Sequence, residues 1–305
     1  MDLSVVTVSY NTRELLRACL ASVLSSLAPG LKHELIVVDN ASSDGSVSMV
    51  RDEFPRVQLI AKEDNRGFAA ASNQGIRLSS GRCVLLLNPD TIVKSTALER
   101  MRTVLESRDD VGAVGPKLVY PNGELQHSAF TFPTLAMVFL DFFPLHHRLL
   151  DSPINGRYPR GLYEGHEPFP VDHPLGAALM AKRQVIEHVG LLDERFFMYC
   201  EEIDWCMRIK NSGRRILCVP HAEIVHHVAQ STSQLGPQMF VELHRSRYRL
   251  YEKHYSVRFQ RAARWIVSLG LAYLELGDRW RAKRGALDRS TLASRLKSYQ
   301  EIREL

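Results

Sequence analysis

Three polar clusters, far apart in the chain, hold side-chain types that could do chemistry together. The first is Asn88-Pro89-Asp90, directly after the apolar run Cys83–Leu87. Proline cannot donate to a sheet ladder, so a strand ending here leaves the Asn and Asp side chains projecting from its carboxyl edge. A carboxylate beside an amide oxygen at such an edge suits a hard divalent cation gripping a diphosphate. The second cluster is Glu201-Glu202-Ile203-Asp204, three carboxylates in four positions after the aromatic-rich Phe196-Phe197-Met198-Tyr199. Partly buried carboxylates can be tuned to act as general bases. The third is His226-His227, where an imidazole near an Asp-bearing edge could complete a metal site. Each cluster also has a plainer reading. These are an Asn/Pro/Asp turn, a charged first helical turn with an Asp204–Arg208 ion pair, and a loop histidine.

Side chains so far apart need a scaffold to meet. Ser4–Val8, Glu34–Val38, Val57–Ala61 and Cys83–Leu87 read as strands. Between them, Leu15, Leu16, Cys19, Leu20, Val23, Leu24 and Leu27 recur at helical spacing, and Phe68–Leu78 is a helix of small residues. A further helix runs from about Ser95 to Glu106. This alternation means an α/β protein with a doubly wound, mostly parallel sheet, which binds ligands at the carboxyl ends of its strands. Ser9-Tyr10-Asn11, Asp39–Gly45 and Glu63–Gly67 are the loops at that edge, and Asn11 followed by Glu14 resembles a capping box. No GxGxxG follows the first strand, which weakens a dehydrogenase reading. Further on, Lys117–Tyr120 and Glu124–His127 flank Asn122-Gly123 as a hairpin. Residues 130–174 carry seven prolines and little readable regular structure, as a functional loop or lid would. Within them Val138–Phe143 is either core or an exposed apolar lip. Beyond Gly176–Ala181 (strand), Arg183–His188 (helix) and Ile216–Val219 (strand), one helix carries Met239–Tyr251 and an amphipathic one runs from about Phe259 to Arg281.

The 305 residues, 45% hydrophobic and 24% charged, suit a soluble α/β domain over 1–235 and a basic helical region over 236–305. The five cysteines are scattered and form no CxxC pair, which argues for free thiols in a reducing compartment. The chain enters its first strand with no basic and apolar leader, so the expected location is cytoplasmic. From His244 onward there are 15 Lys/Arg against 6 Asp/Glu. Such a tail could meet nucleic acid or an anionic membrane surface. No aromatic-interleaved basic motif supports nucleic acid. The longest apolar stretch, Trp265–Leu276, is 12 residues, too short to span a bilayer. The tail is therefore expected to lie on the cytosolic membrane face, to pack back onto the sheet, or to form a homodimer.

In order along residues 3–235, Val8–Asn11, Val37–Gly45, Asn65–Phe68, Leu87–Asp90, Phe196–Arg208 and His226-His227 resemble the family-2 glycosyltransferases of the GT-A fold, particularly their bacterial rhamnosyltransferase-like branch. The resemblance implies inverting transfer of a sugar from a nucleotide-sugar donor, assisted by Mg²⁺ or Mn²⁺. It places the donor nucleotide against Ser9, Tyr10, Asn11, Asp39, Asn65, Arg66, Gly67 and Asn88. Asp90 matches the last acid of the family's Asp-x-Asp metal motif, whose first acid is here Asn88. His226 matches the late histidine ligand, with His227 as the fallback. Glu201-Glu202-Ile203-Asp204 stands where the family carries Glu-Asp-x-Asp, so the base falls on Glu202, with Glu201 the alternative and Asp204 in support. The implied donor is dTDP-rhamnose first and a UDP-hexose next, and the implied acceptor a saccharide or lipid-linked intermediate of cell-envelope polysaccharide. A non-catalytic sugar-nucleotide-binding subunit of an assembly system is the rival reading. A nucleotidyltransferase fits less well, because Ser9–Arg13 is not a Gly-rich basic phosphate loop.

Overall fold

The computed structural model describes residues 1–227 and 236–305, which form two compact units. The first unit holds twelve strands: β1 (Leu3–Ser9), β2 (His33–Asp39), β3 (Gln58–Ala61), β4 (Cys83–Leu87), β5 (Thr91–Val93), β6 (Val111–Val119), β7 (Leu125–Gln126), β8 (Ala129–Phe130), β9 (Phe169–Val171), β10 (His173–Pro174), β11 (Ala178–Lys182) and β12 (Arg215–His226). Ten of them form one sheet along the path β3-β2-β1-β4-β11-β6-β12-β5, with β7 added on β6 and β9 on β12. Strands β3, β2, β1 and β4 are parallel, as are β6 and β12, and β11 runs antiparallel to both β4 and β6. Six strands therefore share one direction. The antiparallel strand β11, expected at Gly176–Ala181, joins the two parallel halves.

Strands β1 and β4 are buried at every position, as expected of strands covered on both faces. Helix α1 (Arg13–Ser26) buries Leu16, Cys19, Leu20 and Val23, one face at helical spacing. Helices α2 (Ser46–Glu53), α3 (Phe68–Leu78) and α4 (Ala97–Glu106) follow the next strands. α1, α2 and α4 share a core with Val5, Leu35 and Leu85. The small residues of α3 have a packing reason. A Cβ at Gly75 would stand 2.3 Å from Val6 Cγ1, so only glycine lets this helix approach β1 so closely. The Asn-Gly hairpin forms between β6 and β7, with Val119 opposite Leu125.

Some local expectations fail for identifiable reasons. Asn11 is not a helix cap: α1 is capped at Thr12 without a side-chain bond, and Asn11 Oδ1 accepts from Ser43 N at 2.8 Å instead. Asp44 Oδ2 takes over the capping work by accepting from Arg13 N at 2.8 Å. The proline-rich stretch also holds more structure than expected. Helix α5 (Leu135–Phe142) starts where Thr134 Oγ1 accepts from Met137 N, and α6 (His147–Leu150) and α7 (Arg160–Glu164) follow. Helices α8 (Arg183–Val189) and α9 (Glu201–Asn211) complete the first unit, to which α7 also belongs.

The second unit comprises 132–157, 198–200 and the helices α10 (Gly236–His254), α11 (Val257–Lys283) and α12 (Arg289–Glu304). The expected boundary at 235/236 abuts residues 228–235, which lie outside the described residues. Val138, Leu140 and Phe142 of α5 are buried, so this stretch is largely core. A Cβ at Gly270 would fall 2.1 Å from the Phe142 ring, so α11 packs directly on α5 there. Asp278 is fully buried but compensated, accepting from Tyr299 Oη at 2.8 Å and pairing with Arg295 at 3.1 Å. No helix among the described residues is long and apolar enough to cross a membrane. All five cysteines are free and buried.

Candidate active site at the carboxyl edge of the sheet

The register of β1 on β2 sets Ser9 opposite Asp39, so these two expected nucleotide contacts meet at the strand ends. Ser9 is fully buried, with its hydroxyl 3.0 Å from Thr12 Oγ1. Asn11 occupies a left-handed conformation (φ 51°), which its short polar side chain tolerates. Its backbone N–H donates to Ser42 Oγ at 2.9 Å, and its side-chain Oδ1 accepts from Ser43 N at 2.8 Å, which completes a tie between the two loops. Asp39 Oδ1 accepts from Ser42 N at 2.9 Å. Its other oxygen, Oδ2, is buried with no hydrogen-bond partner among the described residues. A buried carboxylate oxygen without a donor costs free energy unless a ligand supplies one. Tyr10 is half-buried beside this pair.

The loop at 65–67 is fastened to the same edge by a residue that sequence reading left without a role. Asn40 Nδ2 donates to Asn65 Oδ1 at 2.6 Å, and Asn65 Oδ1 also accepts from Gly67 N at 3.0 Å. Asn40 sits in the Asp39–Gly45 run, so the motif contained it, but no spacing distinguished it from a turn residue. Gly67 has φ +86°, and a Cβ there would stand 2.2 Å from the Phe197 carbonyl oxygen. Phe68 N donates to that same oxygen at 2.7 Å. The Arg66 side chain pairs with Asp64 at 2.8 Å in an exposed position.

At the end of β4, Val6 lies opposite Leu86, which carries Asn88 to the edge where Ser9 and Asp39 sit. Asn88 N donates to Ala177 O at 2.9 Å. Asp90 is buried, and its backbone carbonyl accepts from His227 N at 2.9 Å. Strand β5 pairs with β12 so that Thr91 faces His226, and this pairing brings His226 against Asp90 across more than a hundred residues of chain. His226 Nε2 lies 3.4 Å from Asp90 Oδ1, and that oxygen makes no hydrogen bond among the described residues. On the far side of the ring, the Gln126 amide lies 3.1 to 3.2 Å from Nδ1. A Gln126 oxygen accepting from Nδ1–H would leave Nε2 its lone pair. An orphaned buried carboxylate oxygen facing an imidazole lone pair is a donor pair that fits a divalent cation. Among the described residues no third His, Cys, Asp or Glu joins it. Gln126 had no sequence signal, being a lone amide in a two-residue strand.

The acid cluster opens α9 as the sequence suggested. Tyr199 (φ 69°) and Cys200 (φ 65°) precede it, two successive non-glycine residues in left-handed conformations that strain the backbone entering the helix. Glu201 is buried and Glu202 half-buried, and each has one oxygen (Oε2) without a hydrogen-bond partner among the described residues. Burial lifts the Glu202 carboxyl to about 7. Burial also lifts Glu201 well above the usual carboxylate range, and the neighbouring charge of Glu202 adds to it. A Cβ at Gly176 would lie 3.4 Å from Glu202 Cγ. Gly176 adjoins Ala177, whose carbonyl holds Asn88, so the acid pair lies close to the end of β4. Asp204 is fully buried and pairs with Arg208 Nε at 2.9 Å, as the spacing suggested. Arg208 then donates to Val189 O at 2.6 Å and Leu191 O at 2.8 Å, tying α9 to the preceding turn. A separate cleft, lined by Lys94, Lys117, His221 and Glu223 among others, contains none of these residues.

The mainly parallel sheet, joined through one antiparallel strand, has the GT-A fold. The chain belongs to glycosyl transferase family 2, whose profile matches residues 4–161, just over half of its length. Its relatives include rhamnosyltransferases. It is 28% identical over 286 residues to an N-acetylglucosaminyl-diphospho-decaprenol L-rhamnosyltransferase of Mycobacterium tuberculosis, covering 88% of this chain and 90% of the relative. It is 23% identical over 219 residues to the dTDP-rhamnosyl transferase RfbF of Shigella flexneri, covering 70% and 67%. In fold it resembles the mannosyltransferase PcManGT of Pyrobaculum calidifontis, solved with GDP-Man and Mn²⁺, at a TM-score of 0.56 and 17% identity over 98% of this chain and 85% of that one.

Proposed function

We infer that this enzyme transfers rhamnose from dTDP-rhamnose, with inversion, to a saccharide or lipid-linked acceptor, and that Glu202 is the general base. The observation that carries the reading is the acid pair at the start of α9, which has orphaned oxygens and a Glu202 carboxyl raised to about 7. An acceptor hydroxyl is a poor nucleophile and needs a base poised near the working pH. In a single displacement the acceptor oxygen bonds to the anomeric carbon as the carbon–oxygen bond to the diphosphate breaks. The hydroxyl proton passes to Glu202, and attack opposite the leaving group inverts the centre. Glu201, its carboxyl raised by burial and by the neighbouring Glu202, stands beside the base, and Asp204 acts as a positioning residue by holding Arg208.

At the other side of the reacting centre, Asp39 takes a donor from the base through Oδ2, and Ser9, Tyr10, Asn11 and the 65–67 loop enclose the nucleoside. Asp90 and His226 would hold a divalent cation, with Asn88 turned to the diphosphate. Bound there, such an ion neutralises the charge gathering on the leaving diphosphate. The rhamnosyl assignment rests on the two rhamnosyltransferase relatives. Incubation with dTDP-rhamnose, Mg²⁺ and a lipid-linked N-acetylglucosaminyl diphosphate acceptor tests it. Release of dTDP with a product of inverted anomeric configuration by NMR is the expected result. Turnover with a UDP-hexose but not dTDP-rhamnose would replace the donor, and retained configuration would overturn the displacement.

A further inference from the structure

Helix α11 carries an unpartnered apolar stripe. Trp265, Leu269, Tyr273, Leu276 and Trp280 are 66, 44, 58, 69 and 54% exposed. Their spacings of four, four, three and four keep them within roughly 80° of arc over about 22 Å of helix. The opposite side of the same helix is packed: Ala263, Val267, Gly270, Leu271 and Asp278 are buried. The stripe does not stop at α11. Phe143 lies 5.5 Å from the Tyr273 ring and stacks on Phe139 at 4.8 Å, and Phe139 is itself 38% exposed. A water-facing helix side is normally polar, so an apolar band with a tryptophan at each end calls for something to cover it.

The charges around the stripe say what covers it. Arg258 and Arg261 lie before Trp265 on the exposed side, and Arg279, Lys283 and Arg284 lie around or beyond Trp280. The guanidinium of Arg284 sits 3.9 Å over the Trp280 ring. Arg258, Arg261 and Lys283 make no ion pair among the described residues. The only carboxylates of α11 are Asp278, fully buried, and Glu275, which is largely covered and paired with Arg279 and Arg303. A second copy docked on this face would set cations at each end against cations of its partner, with no exposed carboxylate of either α11 to pair them. An anionic bilayer provides both an apolar interior for the stripe and phosphates for the flanking cations.

We propose that α11 is a membrane-docking helix that lies in the interface of an anionic bilayer, with Trp265, Leu269, Tyr273, Leu276 and Trp280 immersed and the flanking arginines and Lys283 on lipid phosphates. The protein attaches from one side and does not span, since the same helix keeps its other face in the unit's own core. This goes beyond the transferase reading, and its test uses no nucleotide, so either can fail without the other. The chain has three tryptophans, and Trp205 is fully buried, so the environment-sensitive emission comes from Trp265 and Trp280. With phosphatidylglycerol vesicles at low salt the emission shifts to the blue and brominated acyl chains quench it. Phosphatidylcholine vesicles give neither effect. Leu269→Glu/Leu276→Glu, which keeps both tryptophans at solvent-exposed positions, abolishes the shift without changing the melting temperature. Arg258→Gln/Arg261→Gln weakens partition roughly fivefold per charge removed. The proposal is overturned if full-length protein ignores phosphatidylglycerol vesicles. It is also overturned if sedimentation velocity without lipid shows a dimer that Leu269→Glu/Leu276→Glu splits, because the stripe would then be a contact between copies.

Discussion

Glu202 carries the chemistry of the account, and its environment makes two opposite pH dependences. Its carboxyl is raised from an ordinary 4.5 to about 7 because burial disfavours the charged form. The folded chain therefore holds this proton more tightly than the unfolded chain. The resulting stabilisation is fully present below about pH 4.5 and is lost as pH rises through about 7. Base catalysis needs the other form, so kcat/KM should climb between pH 6 and 8 while the ligand-free melting temperature declines. A flat rate profile over that range would remove Glu202 from the base role. Glu202→Gln should lower kcat by about 10²–10⁴-fold while leaving dTDP affinity within about twofold. It should also melt higher than wild type at pH 8, since it deletes a charge that burial penalises. If turnover survives in Glu202→Gln and falls in Glu201→Gln, the base is Glu201. The acid cluster was legible in the sequence, and the aromatic residues before it pointed to a partly buried setting, but not to which oxygens would be left without a donor. Three acids at a helix start read equally as a solvated first turn, and only the packing of 176–177 and the strained Tyr199-Cys200 step set them apart.

Among the elements, the tight loop at 65–67 and the helix α9 are where the site meets the scaffold. Gly67 combines a left-handed backbone with a carbonyl oxygen 2.2 Å from where a Cβ would be. Gly67→Ala should therefore cost about 2–4 kcal/mol in urea unfolding and loosen nucleotide binding along with it. A change below about 0.5 kcal/mol would mean that the loop is not fastened to Phe197 as described. Asp204→Ala leaves Arg208 without its buried partner and should destabilise by roughly 2–4 kcal/mol. At a temperature where the variant stays folded, its kcat should lie within about threefold of wild type. A kcat loss as large as that of Glu202→Gln would make Asp204 a catalytic residue instead. Strands β1 and β4 and helix α3 could be read directly, because burial on both faces writes continuous apolar runs and close packing writes small residues. Strand β5 was not read from the sequence, and β11, read as a strand at Gly176–Ala181, could not be given its partners or direction. Their partners lie in β12, β4 and β6, and pairing over such separations leaves no local period.

Over the whole molecule, the sequence shows which unit carries the chemistry more clearly than how the second unit is built. Six motifs in order mark residues of the sheet edge, whereas α5 lies hidden among prolines and α12 has only a weak apolar face. The expected ligand pair of Asp90 and His226 could be named from the sequence but not joined, because the β5–β12 pairing that brings them together is visible only in the fold. A site with two protein ligands has little to do with folding. Chelation by EDTA should therefore leave the ligand-free melting temperature unchanged to within about 1 °C, in contrast to proteins stapled by a structural metal. A fall of several degrees would point to a structural ion. The most direct test of the central claim is a thermal shift with dTDP, with and without Mn²⁺, on the wild type, Asp90→Asn and His226→Ala. The wild type should show a metal-dependent rise that both substitutions reduce by at least half, because a ligand binding only the folded state stabilises by mass action. A dTDP shift of equal size without Mn²⁺, or one untouched by Asp90→Asn, would contradict the assignment of that edge to a metal-bound diphosphate.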